Sequence, residues 1–392
     1  MRILITGARG FIGRHLAAAL SARGHSIVAA GRPRFDFERP QDWTSALRGV
    51  DAVVNAAGVL RAPSERFEAI HHSGPRALFA AAEAAGVRRV VQVSALGADE
   101  AATSAFHLSK RRADAFLEQR ALDWAIVQPS LVFGADGRSA RWLAMLASLP
   151  LVPLPGNGNQ RIQPIHIGDL TDLLVRLIEA PGTLRETIPA VGPRSLALRE
   201  YLQILRHQMR LGKAAFVPIP LRLVPFDRET LGMLERGNSA SVARVGHHLG
   251  RAPRAPETFI HGRGIALQAK LDWLLPVLRA SVALVWIVSG AVSLGLYPVA
   301  DSFAMLGRVG LTGASAVAAL YGAALLDIAL GVASLALRRR RWLWRAQLAV
   351  IVIYSAIIAW RLPELWLHPF GPLLKNLPML AAIALLHELE ER

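Results

Sequence analysis

The chain has no cysteine among its 392 residues. Disulfides, thiol nucleophiles and cysteine-ligated zinc or iron–sulfur centres are therefore excluded. Its histidines lack metal-ligand spacing. His247 and His248 are merely adjacent, and His368, His387 and Glu388 have no partners at useful intervals, so no metal is expected. No secretory leader is read either. Met1-Arg2-Ile3-Leu4-Ile5 is too short an apolar run, and glycine-rich sequence follows at once, so the N-terminal part is expected in the cytoplasm. Charge is scarce in the last third. Residues 280–300 carry none over 21 positions, 309–326 none over 18 and 346–360 none over 15.

Elsewhere the charge is basic. The net is +16, of which residues 1–270 hold +13. Aromatic residues are not interleaved with that charge as a single-strand groove requires. No helix-turn-helix or zinc-finger pattern is present. An anionic membrane, and not nucleic acid, is the expected partner.

Residues 2–130 alternate short apolar runs with helical patterns. Ile3-Leu4-Ile5, Ser26-Ile27-Val28-Ala29-Ala30, Ala52-Val53-Val54, Val90-Val91-Gln92-Val93 and Trp124-Ala125-Ile126-Val127 read as buried strands. Helical patterns at 11–20 and 76–85 lie between them. Such alternation predicts an α/β Rossmann fold, a doubly wound parallel sheet with helices on both faces. The uncharged runs predict a C-terminal all-α transmembrane bundle of about four helices, the fourth, at 376–386, being the shortest. Arg338-Arg339-Arg340-Arg341 lies between the second and third spans and belongs in the cytoplasm. That gives a multi-pass protein of the inner (cytoplasmic) membrane. Trp286, Trp344, Trp360 and Trp366 are placed partly like interfacial belt residues. The expected division is a dinucleotide domain with a small substrate lobe at 1–235, a basic linker at 236–270 and the membrane domain at 271–392.

The strongest motif is Thr6-Gly7-Ala8-Arg9-Gly10-Phe11-Ile12-Gly13, between a strand and a helix. Glycine is needed where the backbone bends towards a pyrophosphate and where helix and strand pack closely. The helix start then offers free N–H groups to the anion. The next strand decides the cofactor. An NAD site usually carries a carboxylate at its end, whereas here the chain reads Ala30-Gly31-Arg32-Pro33-Arg34. Arginine pairs well with phosphate, so NADP(H) is preferred over NAD(H), with Arg32 first and Arg9 or Arg34 helping. Solvated surface arginines are the alternative. Asp36 is placed near the adenine.

These residues resemble the short-chain dehydrogenase/reductase superfamily in its extended or atypical branch, close to the nucleotide-binding accessory subunit of respiratory complex I. The resemblance covers about residues 1–255. It also rests on Asn55-Ala56-Ala57-Gly58, Ser94, Lys110, Gln128-Pro129-Ser130 and Gln163-Pro164-Ile165-His166-Ile167-Gly168-Asp169-Leu170. It implies cofactor contacts from Thr6, Gly7, Arg9, Gly10, Phe11, Ile12, Gly13, Ala56, Ala57, Gly58, Lys110 and Pro129. It also implies catalytic roles for Lys110 and for Ser94, which orients the carbonyl. The family's proton-donating tyrosine stands four residues before the lysine. Here that position is Phe106, which has no hydroxyl. His107 is a candidate substitute, with an ordinary helix-surface histidine as the alternative.

Residues 271–391 resemble the DoxX-like family of four-helix membrane domains, through Arg279, Val285-Trp286-Ile287-Val288-Ser289-Gly290 and Leu325-Leu326-Asp327-Ile328-Ala329-Leu330-Gly331. That family implies a quinone-linked redox setting. Asp327 is the informative residue, because a carboxylate within a span usually faces the bundle interior with a partner, and Arg279 is one candidate. It marks either a proton or quinone site or a structural polar contact. Two functions follow. One is a membrane-anchored, NADP(H)-binding oxidoreductase whose acceptor is a quinone or a lipid-soluble carbonyl. The other is a non-catalytic NADP(H)-binding scaffold or sensor of a respiratory or other membrane complex.

Overall fold

The computed structural model describes every residue except 33–34, 40–41, 224–231, 233–235, 261, 338–339, 368–372 and 391–392. Arg34, Arg338, Arg339 and His368 thus lie outside the described residues. The chain forms two compact units, Met1–Ala269 and Lys270–Arg392.

The first unit is built on six parallel strands: β1 (Arg2–Thr6), β2 (Ser26–Ala30), β3 (Ala52–Asn55), β4 (Arg89–Val93), β5 (Asp123–Pro129) and β6 (Glu186–Ala190). Their order is β6-β5-β4-β3-β1-β2. The order reverses between β1 and β3, the switch point where ligands of open α/β sheets bind. The continuous apolar runs are explained by two covered faces. Ile3, Ile5, Val54, Val91 and Val127 point into one core, with α1 (Phe11–Ala22) and α5 (Ile167–Glu179). Leu4, Val53, Val90 and Ile126 point into the other, with α2 (Gly74–Ala84) and α3 (Ala105–Glu118). Helix α2 is preceded by a π-helical stretch, Glu68–Ser73, that carries His71.

A smaller lobe packs α4 (Arg138–Ser148) on α6 (Leu198–Gln208) around Phe133, Val152, Leu154, Tyr201 and Phe259. A two-stranded ribbon pairs Leu151–Pro155 in parallel with Ala215–Ile219.

The stretch read as a linker is part of this unit. Helix α7 (Ala243–Leu249) packs on α5 and β6. The Gln163 side chain donates to Gly192 O at 2.7 Å and accepts the Ala240 N–H at 3.0 Å. Fully buried Asp169 accepts the Arg254 N–H and pairs with Arg251, both at 2.7 Å. His166 caps α5 through Nδ1, which also meets Arg254 at 2.9 Å. Basic composition misled here, because these arginines, though partly exposed, are held by the buried Asp169.

Three helices are long and apolar enough to cross a membrane: Gly264–Leu296, which starts in the first unit, and Gly313–Ala336 and Arg341–Arg361 in the second. The fourth, Asn376–Leu389, has 14 residues. Large apolar side chains such as Leu284, Val288, Leu325, Val352 and Ile353 face outward, as lipid contact requires and water does not allow. Gly290 and Gly331 let the first two spans touch. A Cβ on Gly290 would lie 2.5 Å from Ala324 O, and one on Gly331 would lie 2.8 Å from Ala283 O. Trp360 and Trp366 are exposed as belt residues should be, whereas Trp286 and Trp344 are buried in the bundle.

Candidate dinucleotide and acceptor site

The phosphate turn follows β1 directly. Gly7 has φ +67, and a Cβ there would lie 2.6 Å from Ala56 O. The turn closes through Gly10 N–H to Gly7 O at 2.8 Å. A Cβ on Gly13 would lie 2.1 Å from Gly7 O, so the third glycine admits the turn itself against α1. Helix α1 has no side-chain cap and no acidic residue in its first turn. The amides of Phe11, Ile12 and Gly13 are thus free for an anion. Arg9 is exposed beside them and makes no ion pair among the described residues. The cradle therefore fits a dinucleotide pyrophosphate.

At the end of β2, Arg32 is not idle. Its guanidinium lies 3.0 Å from Asp36 and also pairs with Glu38. Asp36 further caps the Glu38 amide at 3.1 Å. Glu38 holds Arg66 at 2.9 Å as well. A 2′-phosphate would have to take Arg32 from these carboxylates.

Across the switch point a buried polar chain links the strands. Thr6 Oγ1 donates to Asn55 Oδ1 at 2.5 Å, and Asn55 Nδ2 donates to Gln92 at 2.7 Å. Asn55 also accepts the Ala57 N–H, which fixes Ala56-Ala57-Gly58 over the sheet edge. Lys110 reaches that edge from α3. Its Nζ donates to Val93 O at 2.9 Å and would lie 3.4 Å from a Cβ on Gly58. Burial brings the ammonium down to about 8, against the pull of Asp114. Asp114 is buried too and is pushed up to about 6, although Ser94 Oγ donates to it at 2.5 Å. Ser94, expected to orient a carbonyl, thus spends its proton on Asp114. Pro129 ends β5, and its carbonyl accepts the Leu96 N–H at 3.0 Å.

Phe106 is buried one turn from Lys110. Its ring meets His71 edge-on at 5.3 Å and Phe67 at 6.0 Å. His71 is a residue that sequence reasoning missed. Its Nε2 accepts the Val59 N–H at 3.0 Å, so the ring proton sits on Nδ1 and goes to Ser109 Oγ at 3.1 Å. Ser109 in turn donates to Phe106 O. Burial, then repulsion from Lys110, drives the imidazole down to about 2, so it stays neutral. No local spacing signals this contact, because His71 and Lys110 meet only through the fold. His107 is not a surface residue. It is buried against Ser104, whose hydroxyl caps α3, and beside Gly97.

In the membrane unit the proposed partnership fails. Arg279 pairs with Glu390 at 3.0 Å and not with Asp327. Glu390 also takes Arg340 and the Trp344 indole N–H. One Asp327 carboxylate oxygen is buried with no hydrogen-bond partner among the described residues.

Residues 3–188 match the NAD dependent epimerase/dehydratase family, and residues 283–384 match the DoxX-like family. The chain joins an epimerase-type domain to a DoxX-like domain. The epimerase-type domain is similar to the ceramide reductase of Caulobacter vibrioides, 29% identical over 196 residues, 46% of this chain and 61% of that protein. It is also similar to NADH dehydrogenase [ubiquinone] 1 alpha subcomplex subunit 9 of Arabidopsis thaliana, 24% identical over 230 residues, 53% and 57% respectively. An uncharacterised Mycobacterium tuberculosis protein is 30% identical over 236 residues, and the chain spans 24% of its length. Among solved structures, RMD of Pseudomonas aeruginosa with NADPH aligns at TM-score 0.55 and 18% identity, over 69% of this chain and 99% of that one. MoeE5 with UDP-glucose and NAD aligns at 0.54 and 20%, over 71% and 100%. These likenesses show the fold. The matched family is described as NAD dependent, and the structural neighbours hold NAD or NADPH.

Proposed function

We propose that the protein is a membrane-tethered oxidoreductase. Its epimerase-type domain binds NADP(H) in preference to NAD(H) and faces the cytoplasm at the inner membrane. Its acceptor is lipid-soluble, a quinone or a carbonyl compound. One observation carries this reading: a complete phosphate cradle and a buried lysine stand beside an apolar wall where the family has its tyrosine. Bound nicotinamide would supply a hydride. Gly7 and the α1 amides bind the pyrophosphate, and Arg9 and Arg32 take the 2′-phosphate. Lys110 holds the ribose and keeps a proton at Nζ up to about pH 8. Phe67 and Phe106 exclude water and favour an apolar acceptor. Relatives named as a ceramide reductase and as an NADH dehydrogenase [ubiquinone] subunit support that acceptor class and a membrane-complex partner.

Phe106 also favours a second reading, a non-catalytic NADP(H)-binding scaffold or sensor. The test uses the full chain in nanodiscs. Nicotinamide fluorescence is titrated with NADPH and NADH, and NADPH oxidation is then followed with decylubiquinone and with a long-chain aldehyde. Tight NADPH binding with oxidation supports the enzyme. Binding without oxidation by either acceptor supports the scaffold. No binding sinks both.

A further inference from the structure

The two-stranded ribbon of the lobe has an unusual outer face. Val152 and Leu154 are buried, so Leu151 and Pro153 point the other way. Leu151 stands opposite Ala215, and Pro153 opposite Val217, so these four share the outer face. A ribbon with one face in water carries polar residues there. This one is apolar: Leu151 is 62% exposed and Val217 is 42% exposed. Just beyond the ribbon, Leu223 is 66% exposed.

Between Glu200 and Asp227 the charge along the chain has one sign. Residues 201–226 contain Arg206, Arg210, Lys213 and Arg222 and no acidic residue. Arg206 is used internally, on the carbonyls of Ala147 and Leu149. Arg210, Lys213 and Arg222 are exposed and make no ion pair among the described residues. The same lobe leads into the membrane along the chain. Ile265, Ala266 and Ala269 pack on its core, and the Ala269 carbonyl accepts the Ser148 hydroxyl at 3.1 Å. The uncharged run of the first span begins soon after, at Ala280.

From these features we infer that the outer face of the ribbon, with Leu223 and the basic fringe of Arg210, Lys213 and Arg222, is a docking surface for an anionic lipid leaflet. The apolar side chains enter the headgroup boundary, and the three cations meet lipid phosphates. The dinucleotide domain is then held against the bilayer by its own surface as well as by its tether.

The absence of cysteine makes the test direct. Val217→Cys in the full chain gives a single site for a nitroxide label, and Ser21→Cys, at an exposed position of α1, gives the control. Both are reconstituted in nanodiscs containing phosphatidylglycerol. The expected result is a label at 217 that collides with lipid-dissolved oxygen more than with a water-soluble nickel chelate, with the reverse at 21. Each basic residue near an anionic leaflet contributes roughly fivefold to partitioning, so Lys213→Glu with Arg222→Glu should lower immersion by roughly 25-fold or more. A 217 label as open to the nickel chelate as the 21 label would overturn the inference. So would spin–spin broadening at 217, which would seat a second copy on this face.

Discussion

Replacing Gly13 by alanine is a sharp test of the phosphate cradle. The new Cβ would stand 2.1 Å from Gly7 O, 2.8 Å from Gly7 C and 2.9 Å from the Ala8 Cα. All three are backbone atoms, so no side chain can swing aside. Ordinary contact begins at 3.4 Å, and the turn must therefore retreat by more than 1 Å. A retreat of that size takes the amides at the start of α1 off the pyrophosphate. Hydrogen bonds to a charged group contribute about 1.5–3 kcal/mol each. Losing one of them costs about 1.5–3 kcal/mol, and Kd for NADPH rises about 10- to 150-fold.

Two sister variants calibrate the effect. Gly10→Ala meets only Gly7 O at 3.1 Å, which a shift of a few tenths of an ångström relieves, and it should cost less than about tenfold. Gly31→Ala meets nothing within 4 Å and should bind as the parent does. The assay is nicotinamide fluorescence with the full chain in nanodiscs, with circular dichroism to confirm the fold. If Gly13→Ala bound NADPH within about threefold of the parent, the cradle would not be the phosphate site.

Four further outcomes are expected. Arg32→Ala should weaken NADPH by roughly tenfold while sparing NADH, since a charge-assisted contact to the 2′-phosphate is lost; equal change for both cofactors would count against Arg32. The Lys110 ammonium is present below about pH 8 and lost above it, so NADPH affinity should fall as pH rises through 8, and Lys110→Met should bind weakly with no such step. His71 has a folded value of about 2, below its ordinary 6.5, so only the unfolded chain gains its proton and stability falls as pH drops below about 6.5. Because Asp114 is shifted the opposite way, the quantity to measure is parent minus His71→Leu, which should change by about 2 kcal/mol between pH 6.5 and 5. In the bundle, Gly290→Leu should lower the melting temperature in detergent, since even a Cβ there meets Ala324 O at 2.5 Å, while Gly322→Leu, with nothing within 4 Å, should leave it unchanged.

The sheet and the phosphate turn were legible because both are local patterns. A buried parallel strand is an apolar run, and a cradle is glycine at fixed offsets after one of them. The spans were legible for the same reason, although the short helix Asn376–Leu389 shows where length stops being decisive. Contacts made only by tertiary packing were not legible. His71 lies near Lys110, His107 is buried in place of lying on a surface, and Arg279 chose Glu390 over Asp327. Arginine misled in the stretch read as a linker, since its charge reads the same whether it meets solvent, a ligand or a buried acceptor. There the arginines at 251 and 254 hold Asp169.

That last arrangement has a consequence for the order of events at the ribosome. Asp169 is fully enclosed, and among the described residues its charge is met by Arg251 and Arg254, some eighty positions later. A buried charge stripped of its partner costs about 3–5 kcal/mol, a large share of what holds an average domain together. A nascent chain that has emerged only to residue 235 thus closes the sheet around α5 at that cost. By the time Arg254 appears, the hydrophobic stretch from Ala280 is next to be made. Completion of the dinucleotide domain and synthesis of the first apolar span therefore follow closely on one another. A soluble fragment cut at the apparent linker would be born with an unanswered charge at its centre.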